Sequence, residues 1–132
     1  MIDLKIGMEY CEWFDITKEM VIQFTKLAGD KNPIHLDEQY AEGTRFKKCI
    51  APGMLICGLL SKIIGMDFPG NGSVYLEQDT KFLAPVYIGS RIRILCIVDS
   101  IDMVKSNVIL RNVVESENGE ILIKGVSKVK VL

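Results

Sequence analysis

The stretch from Ala51 to Gly65 constrains this chain more than any other. Met54, Leu55, Ile56, Leu59, Leu60, Ile63 and Ile64 recur at helical spacing and leave almost no polar face, which predicts a helix buried nearly all round. Pro52 suits a first-turn position, where its missing N–H costs nothing. A helix of this kind needs apolar surface on every side, so the rest of the chain has to wrap it. Gly58, Ser61 and Lys62 interrupt the run from Met54 to Ile64, which is too short to span a bilayer. Cys57, Gly58, Ser61 and Gly65 form a stripe of small residues along it, where something can approach closely.

The wrapping material is legible downstream. In GSVYLEQDTKFLA, the alternation puts Val74, Leu76, Thr80 and Phe82 on one face and Glu77, Asp79 and Lys81 on the other. Residues 91–103 and 107–116 also read as extended and are rich in Ile and Val. Asn118-Gly119 is a hairpin signal. It leads into ILIKGVSKVKV, where Lys124, Lys128 and Lys130 share a solvent face. Four long strands joined by tight turns predict an antiparallel sheet with the apolar helix on its inner face. The class is α+β, and residues 1–132 form one domain.

Upstream, Met8 to Phe14 reads as a short extended segment. Thr17 can cap a helix, with Glu19 in its first turn. Met20, Val21, Phe24, Leu27 and Ala28 mark the buried face of that helix, and Gly29 stops it. A polar loop follows, and Asp37 to Glu42 predict a second, short helix. With 48% apolar residues and 16 basic against 17 acidic side chains, disorder is excluded and a general nucleic-acid binder is disfavoured. The four cysteines, Cys11, Cys49, Cys57 and Cys96, form no CxxC pair. The start MIDLKIGMEYCEW lacks a basic, then apolar, leader. These features predict a cytoplasmic protein with free thiols and no membrane segment.

The chemistry concentrates in the loop after the first helix, where Asp30, Asn32, His35 and Asp37 lie together between Gly29, Pro33 and the short helix. His35 is the only histidine in the chain. Asp30 and His35 stand five apart on a kinked loop, so their side chains can converge on one water, a usual arrangement for moving protons near neutral pH. Spacing alone leaves open the blander reading of a polar turn with a helix-capping Asp. The start of the apolar helix is a second candidate. The N–H groups of Gly53 and Met54 lack helical partners there and can hold a developing oxyanion. An ordinary helix start is the alternative. Asp30, His35, Asp37 and Cys49 have no metal-ligand spacing. Cys57 reads as a core thiol rather than a nucleophile. Arg45, Lys47 and Lys48 form a small basic run, either a solvated face or a contact for a phosphate-bearing ligand.

The string FTKLAGDKNPIHLDEQYAEGTRFKKCIAPGML resembles the signature of the MaoC-like, R-specific enoyl-CoA hydratases of the hotdog fold. The matching positions are Gly29, Asp30, Asn32, Pro33, His35 and Asp37, then Tyr40-Ala41, Thr44, Phe46 and Gly53-Met54. GSVYLEQDTKFLAPVYIGS is similar to that family's first long strand and its Pro-Val-x-x-Gly turn. The resemblance implies a single hotdog domain that adds water reversibly across a trans-2-enoyl-CoA, with no metal and no redox cofactor. It implies that Asp30 and His35 are catalytic, that Asn32 supports them, and that the Gly53 N–H polarises the thioester carbonyl. Met54, Cys57 and Gly58 are then expected to border the acyl chain. The substrate is expected to be an acyl-CoA or an acyl-carrier-protein thioester, and the assembly a homodimer or dimer of dimers with sites near the interface. One departure stands out: Pro52 occupies the place of a family histidine.

Three other functions compete. A hotdog thioesterase would want an acidic residue on the central helix, and Met54 to Ile64 carries none. A non-catalytic acyl-binding subunit would not need the Asp30, Asn32 and His35 set. A dehydratase of fatty-acid synthesis would use the same chemistry on a carrier protein, for which Arg45, Lys47, Lys48 and Lys62 could form a basic rim.

Overall fold

The computed structural model describes residues 3–132, in the order β1 (Glu9–Asp15), α1 (Lys18–Ala28), α2 (Glu38–Glu42), α3 (Gly53–Met66), β2 (Ser73–Phe82), β3 (Arg91–Asp102), β4 (Asn107–Ser116) and β5 (Ile121–Val131). The five strands form one sheet in the order β1-β3-β4-β5-β2, antiparallel throughout. The extended segment near the N-terminus thus becomes a fifth strand, pairing Glu9–Asp15 with Ile97–Arg91.

The sheet curls around α3. Leu55, Ile56, Leu60, Ile63 and Ile64 pack into one core with Ile92, Ile94, Val98, Leu110, Val114 and Val129 from the strands. Each such aliphatic side chain contributes about 1.5–3 kcal/mol when fully buried. Enclosure is not complete, however. Met54 and Met66 are each 63% exposed, and Gly58, Ser61 and Lys62 lie on the same open side. One sheet can curl around only part of a helix, so one stripe of α3 stays uncovered within a single chain.

Two further expectations change. In α1 the buried face is Met20, Val21, Phe24 and Thr25; Leu27 is 88% exposed and Ala28 is also exposed. The helix ends at Gly29, in the left-handed conformation with φ 75°, and its last turn lies clear of the core. In β2 the alternation breaks. The register slips between Tyr75 and Glu77, leaving Leu76 unpaired as a bulge. An inserted residue reverses the facing of everything beyond it. Tyr75, Gln78, Thr80 and Phe82 therefore pair with the inward positions Val129, Ser127, Gly125 and Ile123, and Val74 pairs with the outward Lys130.

The bulge turns Gln78 to the face of β2 that meets Asn112 and Ser127. Gln78 Nε2 donates to Asn112 Oδ1 at 3.0 Å, Ser127 and Tyr75 hydroxyls meet at 3.0 Å, and Ser127 Oγ reaches Asn112 Oδ1 at 3.0 Å. Buried Asn112 and Ser127 thus satisfy one another rather than standing unpaired.

Candidate active site

The loop between α1 and α2 is built by short-range hydrogen bonds. Asp30 Oδ1 accepts from the Asn32 N–H at 3.0 Å, and the Asn32 side chain accepts from the Ile34 N–H at 3.4 Å. The Asn32 carbonyl accepts from the His35 N–H at 3.1 Å. Asp37 then caps α2, accepting from the Tyr40 N–H at 3.0 Å. Asn32 therefore links the two halves of the loop, and Asp37 serves the helix rather than the site.

The result is convergence of Asp30 and His35, with Asp30 Oδ2 at 3.6 Å from His35 Nε2. The His35 side chain is only 10% exposed, while the Asp30 side chain is 37% exposed. The other ring nitrogen, Nδ1, lies 2.8 Å from the carbonyl oxygen of Ile50. A carbonyl only accepts, so Nδ1 carries the proton, and in the neutral ring Nε2 presents a lone pair toward Asp30. Nothing in the residue types announces the Ile50 carbonyl, since any residue supplies one.

Ile50 also joins this pair to the start of α3. Its N–H donates to the Ile34 carbonyl at 3.2 Å, and the next residue, Ala51, donates to the Val86 carbonyl at 2.7 Å. Pro52 takes the N-cap position, one residue before the helix rather than inside it, and makes no side-chain cap. Proline has no group to satisfy the amides behind it. Among the described residues the N–H groups of Gly53 and Met54 accordingly have no partner. A Cβ at Gly53 would run into the Phe82 ring, whose Cδ1 would be only 2.8 Å away, so the ring would have to swing aside for any other residue.

Beside this helix start lies an open cleft of about 330 Å³, bounded by Phe46, Ile50, Met54, Phe82, Leu83 and Pro85 among others. That volume sits at the lower end of small-molecule sites. Arg45 is the only charged residue in its wall. Of the three residues expected to border an acyl chain, Met54 lines this cleft. Cys57 instead faces β2 across a gap of about 10 Å³ next to Gln78 and Thr80, and burial pushes its thiol pKa up. Gly58 sits on the open side of α3. Phe82 and the turn after it complete the cleft. The break in alternation at Leu76 hides this role, although the same turn carried the resemblance.

Lys62 does not join the basic run. Its ammonium group bonds Glu12 at 2.9 Å and Asp67 at 2.8 Å, and these carboxylates raise its pKa. No three of the described His, Cys, Asp and Glu side chains group closely enough to hold a metal ion. No helix among the described residues is long and apolar enough to cross a membrane.

A curled antiparallel sheet around a central helix, with a polar loop at the helix start, defines a hotdog domain. The family model for the MaoC-like domain matches residues 4–118, and the chain belongs to that family. It is 35% identical over 129 residues to an (R)-specific enoyl-CoA hydratase of Rhodospirillum rubrum, covering 98% of this chain and 89% of that protein. It is 39% identical over 92 residues to a 3-hydroxybutyryl-CoA dehydratase of Methylorubrum extorquens; that match covers 70% of this chain and 59% of the relative. The solved structure of an (R)-hydratase from A. caviae, described as involved in PHA biosynthesis, superposes with a TM-score of 0.94. It is 30% identical, and the match covers 98% of each chain.

Proposed function

We propose that this chain is a hydro-lyase that adds water reversibly to a trans-2-enoyl thioester, giving the R-3-hydroxyacyl thioester. The observation that carries the reading is the pairing of two acceptors. With Nδ1–H committed to Ile50, His35 Nε2 and Asp30 Oδ2 face each other at 3.6 Å with no proton between them in the neutral state. Two acceptors at that separation suit one water that donates a hydrogen bond to each.

In the hydration direction the water oxygen attacks Cβ of the enoyl group. One of its protons passes to the Asp30/His35 pair, and a proton is delivered to Cα. Charge builds on the thioester oxygen as the Cα–Cβ double bond is consumed. The free Gly53 N–H, at the positive end of a 14-residue helix, is the group assigned to stabilise it. Asn32 is assigned as a positioning residue, because it holds both Asp30 and the His35 backbone. The acyl group would lie in the cleft against Met54 and Phe82.

A thioesterase reading gains no support, since Gly53–Met66 contains no Asp or Glu. The relatives include both CoA and acyl-carrier-protein dehydratases by name. The same chemistry serves either handle, with CoA taken as the first choice and a carrier protein as the alternative. The four cysteines are free thiols, the state that a reducing cytoplasm maintains.

The chain is also proposed to act as a homodimer or dimer of dimers. β2 lies at an edge of the sheet, and Val74 and Leu76 on it are 42% and 45% exposed. An apolar edge of this length favours pairing with another strand. A sedimentation experiment giving only the 14.8 kDa monomer at micromolar concentration would refute that part.

The test of the activity is loss of enoyl thioester absorbance when purified protein meets short and medium trans-2-enoyl-CoAs. Chiral analysis of the product is expected to give the R isomer.

A further inference from the structure

We infer that Arg45 binds a phosphate group on the substrate's thiol handle, a reading that rests on the thioester chemistry proposed above. The chain has four arginines, and three of them are paired with carboxylates. Arg91 pairs with Asp15 at 3.7 Å, Arg111 with Asp99 at 3.4 Å, and Arg93 with Glu115. Arg45 alone has no carboxylate partner among the described residues, and it alone brings charge to the wall of the cleft beside Gly53.

Its position is held rather than loose. Thr44 Oγ1 donates to the Ala41 carbonyl at 2.7 Å and accepts from the Phe46 N–H at 3.2 Å. The Phe46 carbonyl accepts from the Tyr87 hydroxyl at 3.0 Å, which ties the loop to the turn before β3. The Arg45 guanidinium lies over the Phe46 ring at 4.9 Å, and Phe46 is itself part of the cleft wall. Lys47 bends the chain with φ 66°, and Lys48 sits 5.3 Å over the Tyr87 ring. Both lysines also lack a carboxylate partner among the described residues.

An unpaired guanidinium on a braced loop, flanked by two more cations, fits a phosphate better than it fits an apolar acyl group. Its planar fork of donors matches phosphate oxygens two at a time. A thioester whose reacting carbonyl meets Gly53 and whose acyl group lies against Met54 and Phe82 would direct its pantetheine arm out along the cleft. The phosphate is assigned to Arg45, the one charged group on that wall. Lys47 and Lys48 add attraction that salt would screen.

The experiment compares one enoyl group, crotonyl, on three handles: coenzyme A, 4′-phosphopantetheine and N-acetylcysteamine, which has no phosphate. Arg45→Ala is expected to raise KM about tenfold for the coenzyme A thioester, with kcat little changed. Arg45→Lys is expected to recover part of that loss. The KM ratio between the phosphate-free and coenzyme A substrates should collapse in Arg45→Ala. If the phosphopantetheine thioester follows coenzyme A, the contact is to the phosphate that a carrier protein also presents. If it follows N-acetylcysteamine, the contact is to phosphates that only coenzyme A carries. Calorimetric titration with free coenzyme A gives an independent reading, and its affinity is expected to fall about tenfold in Arg45→Ala. An equal KM change on all three substrates, or unchanged affinity for free coenzyme A, would overturn the proposal. Arg45-dependent coenzyme A binding by a protein that hydrates none of the three would uphold the handle and sink the hydration reading instead.

Discussion

Replacing Asp30 with Asn isolates the proposed proton chemistry from the fold. The side chain keeps its shape, and its amide oxygen can still accept the Asn32 N–H that Asp30 Oδ1 accepts at 3.0 Å. What changes is the group 3.6 Å from His35 Nε2, where a carboxylate acceptor becomes an NH2 donor. That donor can bond Nε2 directly, so the water loses both of its acceptors at once. Losing a positioned general acid or base costs about 10²–10⁴ in rate, roughly 3–5 kcal/mol of barrier. The side chain is 37% exposed, so the stability cost should stay under about 1 kcal/mol, a few degrees in Tm for a chain this size. Initial rates with crotonyl-CoA, beside thermal denaturation of both proteins, separate the two effects. The expected outcome is a fall in kcat of at least a hundredfold with KM and Tm close to the parent's. A loss below tenfold in a folded variant would mean that the Asp30/His35 pair is not moving the protons.

Gly125→Ala should destabilise without touching the site. A Cβ there would collide with the Asp79 carbonyl oxygen and lie 3.2 Å from Thr80 Cα, so the β2–β5 pairing itself must move. Overpacking of this kind costs about 1–3 kcal/mol, or roughly 4–12 °C in Tm, and an unchanged Tm by calorimetry would contradict the close approach. Thiol labelling should be ordered. Exposed Cys11 should react first and half-buried Cys57 more slowly; Cys49 and Cys96 should react only on unfolding, with burial holding the Cys96 thiol up at about 12. Mass mapping that finds Cys96 modified as fast as Cys11 in native buffer would contradict the core described above.

Much of this arrangement can be read from residue types, for reasons that are local. Thr17 caps α1 through its hydroxyl, with the Met20 N–H donating at 3.1 Å, and Gly29 ends the helix because its left-handed backbone suits glycine. The apolar run in α3 leaves little choice but a central position. The failures are equally physical. The bulge at Leu76 depends on which residues β5 offers across the strand, so alternation within β2 cannot reveal it. Leu27 fits helical spacing, yet it lies beyond where α1 meets the core. The open stripe of α3 follows from how far one five-stranded sheet can curl. In the candidate site, Asp30, Asn32 and His35 were legible because their side chains are specific. The Ile50 carbonyl, which sets the His35 tautomer, was not, because backbone groups leave no mark on composition. Phe82 over Gly53 could be found only once both elements were in place.

This chain is proposed to hydrate an enoyl thioester with R selectivity. The most direct measurement is to incubate purified protein with trans-2-enoyl-CoAs, follow the enoyl thioester absorbance, and resolve the product on a chiral phase. The expected result is an absorbance decay that reaches equilibrium, R-3-hydroxyacyl-CoA as product, and no release of free thiol. No decay, an S product, or thiol release in step with the decay would contradict it.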